Sequence, residues 1–214
     1  IRDSPGAARG ISALLLALVL TLGGCAGPVA QVVPVGASPT AGYGGVFLDQ
    51  PYTLPDATLT DQDGRSFALR TGSAAPVLVL FFGYTNCPDI CKSTLADLAG
   101  AVNRLDPAAR GKVQVVLITV DPARDDPATL KSYLARFDPS FIGLTASPAE
   151  IKAVAATMGV AIEGTTKTAT GYDVTHSDQL LGFDAERRGR LVWTQGTSIG
   201  VLRADLERLV AAQP

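Results

Sequence analysis

This chain of 214 residues contains one histidine and three cysteines. Any imidazole ligand is therefore His176, and any thiol chemistry runs through Cys25, Cys87 or Cys91. A basic patch is also missing, as is any interleaving of aromatic with basic side chains. With 18 Lys and Arg against 20 Asp and Glu, the formal net charge is −2, which argues against nucleic acid as a partner. No internal repeat is visible. The apolar run from Ile11 to Leu20 falls short of the roughly 20 residues that a membrane-spanning helix needs.

That run does fit the core of a signal peptide. Arg2 and Arg9 give it a basic start, and Leu22-Gly-Gly-Cys25 closes it. Small residues followed at once by cysteine resemble a bacterial lipoprotein cleavage box. The expectation is a signal peptide over 1–24, with Cys25 lipidated, against the alternative of an uncleaved anchor. Residues 25–44 then form a tether rich in Gly, Pro, Ala and Val, and 45–214 form one domain on the extracytoplasmic face of the cell membrane. With Cys25 modified, Cys87 and Cys91 are the remaining thiols. A disulfide between them closes a very short loop and adds little chain-entropy stabilisation, so chemistry explains the pair better than structure does.

Along the domain, a small hairpin is expected to turn at Asp63-Gly64. Val77 to Phe82 and Val113 to Val120 read as strands buried on both faces. Cys91, Leu95, Leu98, Val102 and Leu105 mark a helical stripe, with Pro88 in its first turn. Asp126-Pro127 starts a second helix, and Phe141 to Leu144 is a short strand. Ser147-Pro-Ala-Glu150 is a capping box opening a third helix. After a Gly/Thr-rich stretch, Gln179 to Phe183 and Arg190 to Trp193 make a hairpin, and Leu202 to Val210 a closing helix. This order implies an α/β domain with a central sheet covered by helices on both faces.

Cys87 and Cys91 are spaced i,i+4, which on a helix would place both on one face. A thiol at a helix N-terminus is favoured as thiolate, Cys87 more than Cys91. Two thiolates suit Cu(I) and equally suit disulfide exchange, and the spacing does not separate these roles. His176, in Tyr172-Asp-Val-Thr-His-Ser-Asp, is by default a surface or hydrogen-bonded residue. As a ligand it would complete a Cys2His site, with Asp173 or Asp178 orienting its ring. Asp121-Pro-Ala-Arg-Asp125 reads as a strand exit with Arg124 paired to a carboxylate. The alternative makes Asp121, Arg124 and Asp125 part of a partner surface. Met158 and Trp193 read as core, while Phe82 and Tyr84 read either as core or as a shield for the thiols.

Phe82-Gly-Tyr-Thr-Asn-Cys-Pro-Asp-Ile-Cys91, Val120-Asp-Pro-Ala-Arg-Asp125, Phe137-Asp-Pro-Ser-Phe-Ile-Gly-Leu144, and His176-Ser followed by Phe183-Asp together resemble the Sco/SenC family of copper chaperones. The resemblance implies a thioredoxin-like central mixed sheet flanked by helices, with an extra N-terminal hairpin and a hairpin insertion. It implies copper, as Cu(I) and also Cu(II), on Cys87, Cys91 and His176. It further implies delivery to, or thiol maintenance of, the copper-bearing subunit of cytochrome c oxidase or another extracytoplasmic copper protein. Asn86 and Lys92 depart from the commonest residues at their positions without removing a ligand.

The competing reading is a thiol-disulfide oxidoreductase in which Cys87 and Cys91 are catalytic and His176 is dispensable. A peroxiredoxin is disfavoured because Thr85 lies only two positions before Cys87, not three. A copper sensor is disfavoured because the chain offers no separate effector domain.

Overall fold

The computed structural model describes residues 42–169 and 171–213. The expected signal segment, Cys25 and most of the tether lie outside the described residues. The sequence supplies ten strands and five helices among those that are described.

Strand β4 (Val77–Gly83) is buried at every position, so both faces of the sheet are covered where it runs. It pairs in parallel with β5 (Val113–Thr119), which pairs in parallel with β6 (Ile142–Thr145). On its other side β4 pairs antiparallel with β9 (Leu180–Phe183), then come β10 (Arg188–Trp193) and the edge strand β1 (Val46–Thr53). Beyond β6 the hairpin β2 (Thr58–Asp61) and β3 (Ser66–Ala68) closes the sheet. Its turn at Gly64 has a φ of 76°, which glycine adopts without a Cβ clash. The result is one mixed eight-stranded sheet.

Helix α1 (Ile90–Val102) links β4 to the short α2 (Pro107–Arg110), and packs on the closing helix α5 (Ile199–Ala211). Helix α3 (Pro127–Leu134) lies on β6, where Gly143 leaves room for Leu130 and Leu134. Helix α4 (Pro148–Ala156) opens with the expected reciprocal capping box of Ser147 and Glu150. Met158 and Trp193 are core residues, as their patterns indicate.

Three features depart from the sequence reading. β1 contains Pro51 and a register irregularity between Phe47 and Tyr52, a combination tolerated at a sheet edge. The Gly/Thr-rich stretch is a separate two-stranded hairpin, β7 (Ile162–Thr168) and β8 (Gly171–His176). It shows little apolar alternation because β7 is exposed along most of its length. Finally, α1 begins at Ile90, so Pro88 and Cys87 lie in the loop before it and not in its first turn.

Candidate metal centre

The loop between β4 and α1 carries Cys87, and its shape is set from beneath by Asp125. That carboxylate, fully buried, accepts from the Thr85 amide at 3.0 Å, the Thr85 hydroxyl at 2.6 Å and the Thr119 hydroxyl at 2.6 Å. One side chain thereby ties the cysteine loop to the end of β5. The two cysteines come together because the loop folds back, not because they share a helical face. The Cys91 amide donates to Cys87 Sγ at 3.4 Å. Cys91 is fully enclosed and Cys87 is 6% exposed. Gly83 makes room for the inner sulfur: a Cβ there would lie 3.2 Å from Cys91 Sγ.

The two thiols are electrostatically unequal. A hydrogen bond from the Cys91 thiol is the main reason that Cys87 is lowered to about 6, against the opposing effect of burial, with help from the backbone amides of Cys91 and Asp89. Cys91 is pushed well up, because it donates to Cys87 and because it is buried. One proton held between two sulfurs accounts for both directions. The greater thiolate character expected of Cys87 is present, with its cause in the partner thiol more than in a helix dipole.

His176 ends β8. Its Nδ1 lies 2.7 Å from the Ser177 carbonyl, which can only accept, so this nitrogen is the donor and Nε2 is the ring nitrogen left to ligate. The ring meets Tyr84 edge-on at 5.9 Å. Neither aspartate holds the imidazole as expected. Asp173 accepts a long 3.5 Å contact from the Tyr84 hydroxyl, and Asp178 lines the cleft. That cleft, of about 320 Å³, is bounded by Tyr84, Cys87, Ile90, Val174 and His176. Cys87 and His176 thus face one space. Among the described residues no three His, Cys, Asp or Glu side chains stand close enough to hold a metal ion.

The Asp121 to Asp125 turn is the expected strand exit, with Arg124 Nε ion-paired to Asp121. It also reaches the hairpin, because the Tyr172 hydroxyl donates to Asp121 at 2.8 Å and Arg124 stacks on the Tyr172 ring. Sequence reasoning missed Tyr172, although a signal existed. Tyr172, Val174 and His176 alternate and so share one face of a strand. The Ser177 carbonyl left no side-chain signal to find.

The SCO1/SenC family profile matches residues 49–211. The chain belongs to the SCO1/SenC family. A putative copper-binding protein of Stutzerimonas stutzeri is 36% identical over 148 residues, covering 68% of this chain and 72% of that protein. The mitochondrial protein SCO2 of Saccharomyces cerevisiae is 38% identical over 112 residues, covering 52% of this chain. The matched segment spans only 35% of the yeast protein's length. Among solved structures, copper-bound ScoI of Arabidopsis thaliana superposes with a TM-score of 0.67 at 30% identity, covering 72% of this chain and 95% of that one. The apo Sco1 protein of Thermus thermophilus gives 0.69 at 32% identity, covering 78% and 96%. The thioredoxin-like fold expected from the SCO1/SenC resemblance is therefore present. Its N-terminal hairpin is β2–β3, and its inserted hairpin is β7–β8. No helix among the described residues is long and apolar enough to cross a membrane.

Proposed function

We propose that this SCO1/SenC protein is a copper metallochaperone that takes the ion on Cys87 Sγ, Cys91 Sγ and His176 Nε2. The observation that carries the reading is the shared cleft. The more acidic thiol and an imidazole with a free Nε2 open into the same space, with the second sulfur directly behind. Two soft sulfurs and one imidazole are a donor set suited to Cu(I), and the imidazole extends it towards Cu(II). The copper-bound ScoI structure of Arabidopsis thaliana supports the metal assignment.

The recipient is the copper-bearing subunit of cytochrome c oxidase or another extracytoplasmic copper protein, with the domain held at the membrane by a lipid on Cys25. Transfer is ligand exchange without turnover. An oxidised Cys87–Cys91 pair cannot bind, which couples loading to redox state.

The unequal thiols also favour a second reading. As a thiolate, Cys87 would attack a target disulfide, and one target sulfur would leave as thiolate. Cys91 would then displace the other, leaving the target reduced and this pair oxidised. A Cu(I) competition titration of the reduced chain beside its His176→Ala variant separates the two. Tight one-to-one binding that weakens markedly in the variant supports the chaperone. Binding indifferent to His176 overturns the three-ligand site and favours the thiol chemistry.

A further inference from the structure

Three donors must meet on one ion, and among the described residues no group of three His, Cys, Asp or Glu side chains is arranged to hold one. Two of them have little freedom. The Cys87 loop is pinned to Asp125, and Cys91 is enclosed against the space left by Gly83. The least enclosed donor is His176, at the end of a hairpin whose first strand is mostly exposed. At its base the hairpin is held by the Ser177 amide on the Ala161 carbonyl at 2.9 Å and by the Ala161 amide on the Ser177 hydroxyl at 3.0 Å. Further along, buried Val174 gives its amide to the Tyr84 hydroxyl at 3.2 Å. Tyr84 also touches Asp173 and the His176 ring, and Tyr172 gives a further hold.

Tyr172 engages a charged pair. The guanidinium carbon of Arg124 lies 3.7 Å from the Tyr172 ring centroid and 5.7 Å from that of Tyr84. Arg124 Nε is ion-paired to one oxygen of Asp121, and the Tyr172 hydroxyl donates to the other at 2.8 Å. Two tyrosines therefore share one cation, and Tyr84 also bears on His176 edge-on. The arrangement is incomplete. Arg124 Nη2 is buried with no hydrogen-bond partner, so the guanidinium is only partly satisfied.

We propose that Arg124, Asp121 and Tyr172 form a latch on the β7–β8 hairpin that sets where His176 stands over the thiols. They are positioning residues for metal capture and touch no metal themselves. The inference rests on His176 being a ligand. Period-two alternation makes the coupling direct, because Tyr172 and His176 lie on one face of β8 with Val174 between them. Lysine cannot replace Arg124 here, since it keeps the charge but lacks the planar face that stacks on the ring.

The test is a double-mutant cycle on the full, reduced chain, reading Cu(I) affinity for the parent, Arg124→Lys, His176→Ala and the double variant. Loss of a group that orients a ligand costs 10- to 100-fold in affinity in other metal sites, so Arg124→Lys should weaken binding about tenfold. In the His176→Ala background the same change should do nothing. Tyr172→Leu, at a half-buried position, should behave like Arg124→Lys and serves if that variant does not fold. A second readout needs no metal: amide exchange at Val174 should be faster in both variants. An equal loss in both backgrounds, or no loss from Arg124→Lys while His176→Ala weakens binding, overturns the latch alone. No loss from His176→Ala overturns the three-ligand reading and the latch with it.

Discussion

The Thr85 hydroxyl lies 2.6 Å from a carboxylate oxygen of Asp125, and through this contact the loop bearing Cys87 is fastened to the far side of a strand end. Asp125 also takes the Thr85 amide and the Thr119 hydroxyl, with no exposure to water. Replacing it by alanine leaves those donors without an acceptor. Asp125→Ala should lower stability by roughly 3 kcal/mol, given that hydrogen bonds to a charged group are each worth about 1.5–3. A urea melt checks this. An unchanged midpoint would mean that water replaces the carboxylate and that the loop does not depend on it.

Gly83 gives a second prediction. A methyl group there would stand 2.8 Å from the Phe81 ring and 3.3 Å from Leu117, besides crowding the Cys91 sulfur. Gly83→Ala should destabilise the domain by about 1–3 kcal/mol, the usual range for overpacking a core. It should also increase the reactivity of Cys91 towards a small alkylating agent by moving its sulfur outward. Retained stability with an unreactive Cys91 would contradict the tight fit.

The thiol pair makes stability depend on pH with a definite sign. Cys87 is lowered to about 6 in the fold, below its unfolded value of about 8.5. Its contribution is complete above that unfolded value and is lost as pH falls through 6. Cys91 is raised, so its contribution is present below about 8.5 and declines at higher pH. Reduced protein should therefore gain stability from pH 6 towards 8.5 and lose it beyond. Alkylation of Cys87 should show an inflection near pH 6, with Cys91 much slower. Two equal rates rising together near pH 8.5 would refute the shared proton.

Asp205 offers a test remote from the site. It accepts from the Gly44 and Gly45 amides and from Trp193 Nε1, each at 2.8 Å, while 1% exposed. Asp205→Ala should cost roughly 3 kcal/mol and alter the emission of Trp193, the chain's single tryptophan. A fragment beginning at residue 46 loses two of the three donors and should fall between the parent and the variant. Equal stability of all three would show that this junction contributes nothing.

Sequence and structure agree where burial dominates. β4 is legible as an unbroken apolar run because both its faces are covered, β5 as a largely apolar one, and α4 declares its start in the side chains of Ser147 and Glu150. A pairing of Arg124 with a carboxylate could be read because its partner is local, and the structure identifies that partner as Asp121. β1 was obscured by Pro51, and the β7–β8 hairpin by its exposure, which removes the apolar alternation that marks a strand. The start of α1 was misplaced because Pro88 suits a first turn but here lies in a bend, and Asp89 caps without a side-chain bond. At the site, the two cysteines stood out by their rarity. The Tyr172–Arg124 stack joins distant segments, and the bond to the Ser177 carbonyl uses backbone, which no residue pattern reports.

Cys91 is enclosed while Cys87 and His176 open on the cleft. Under the proposed function, that difference would give metal exchange an order. A ligand offered by a recipient would meet the outer sulfur and the imidazole first and the inner sulfur last, so Cys91 would be the final residue to let go. A flat recipient surface would not complete that sequence, whereas a projecting loop would. Depth of reach, as much as affinity, would then decide which recipient this cleft serves.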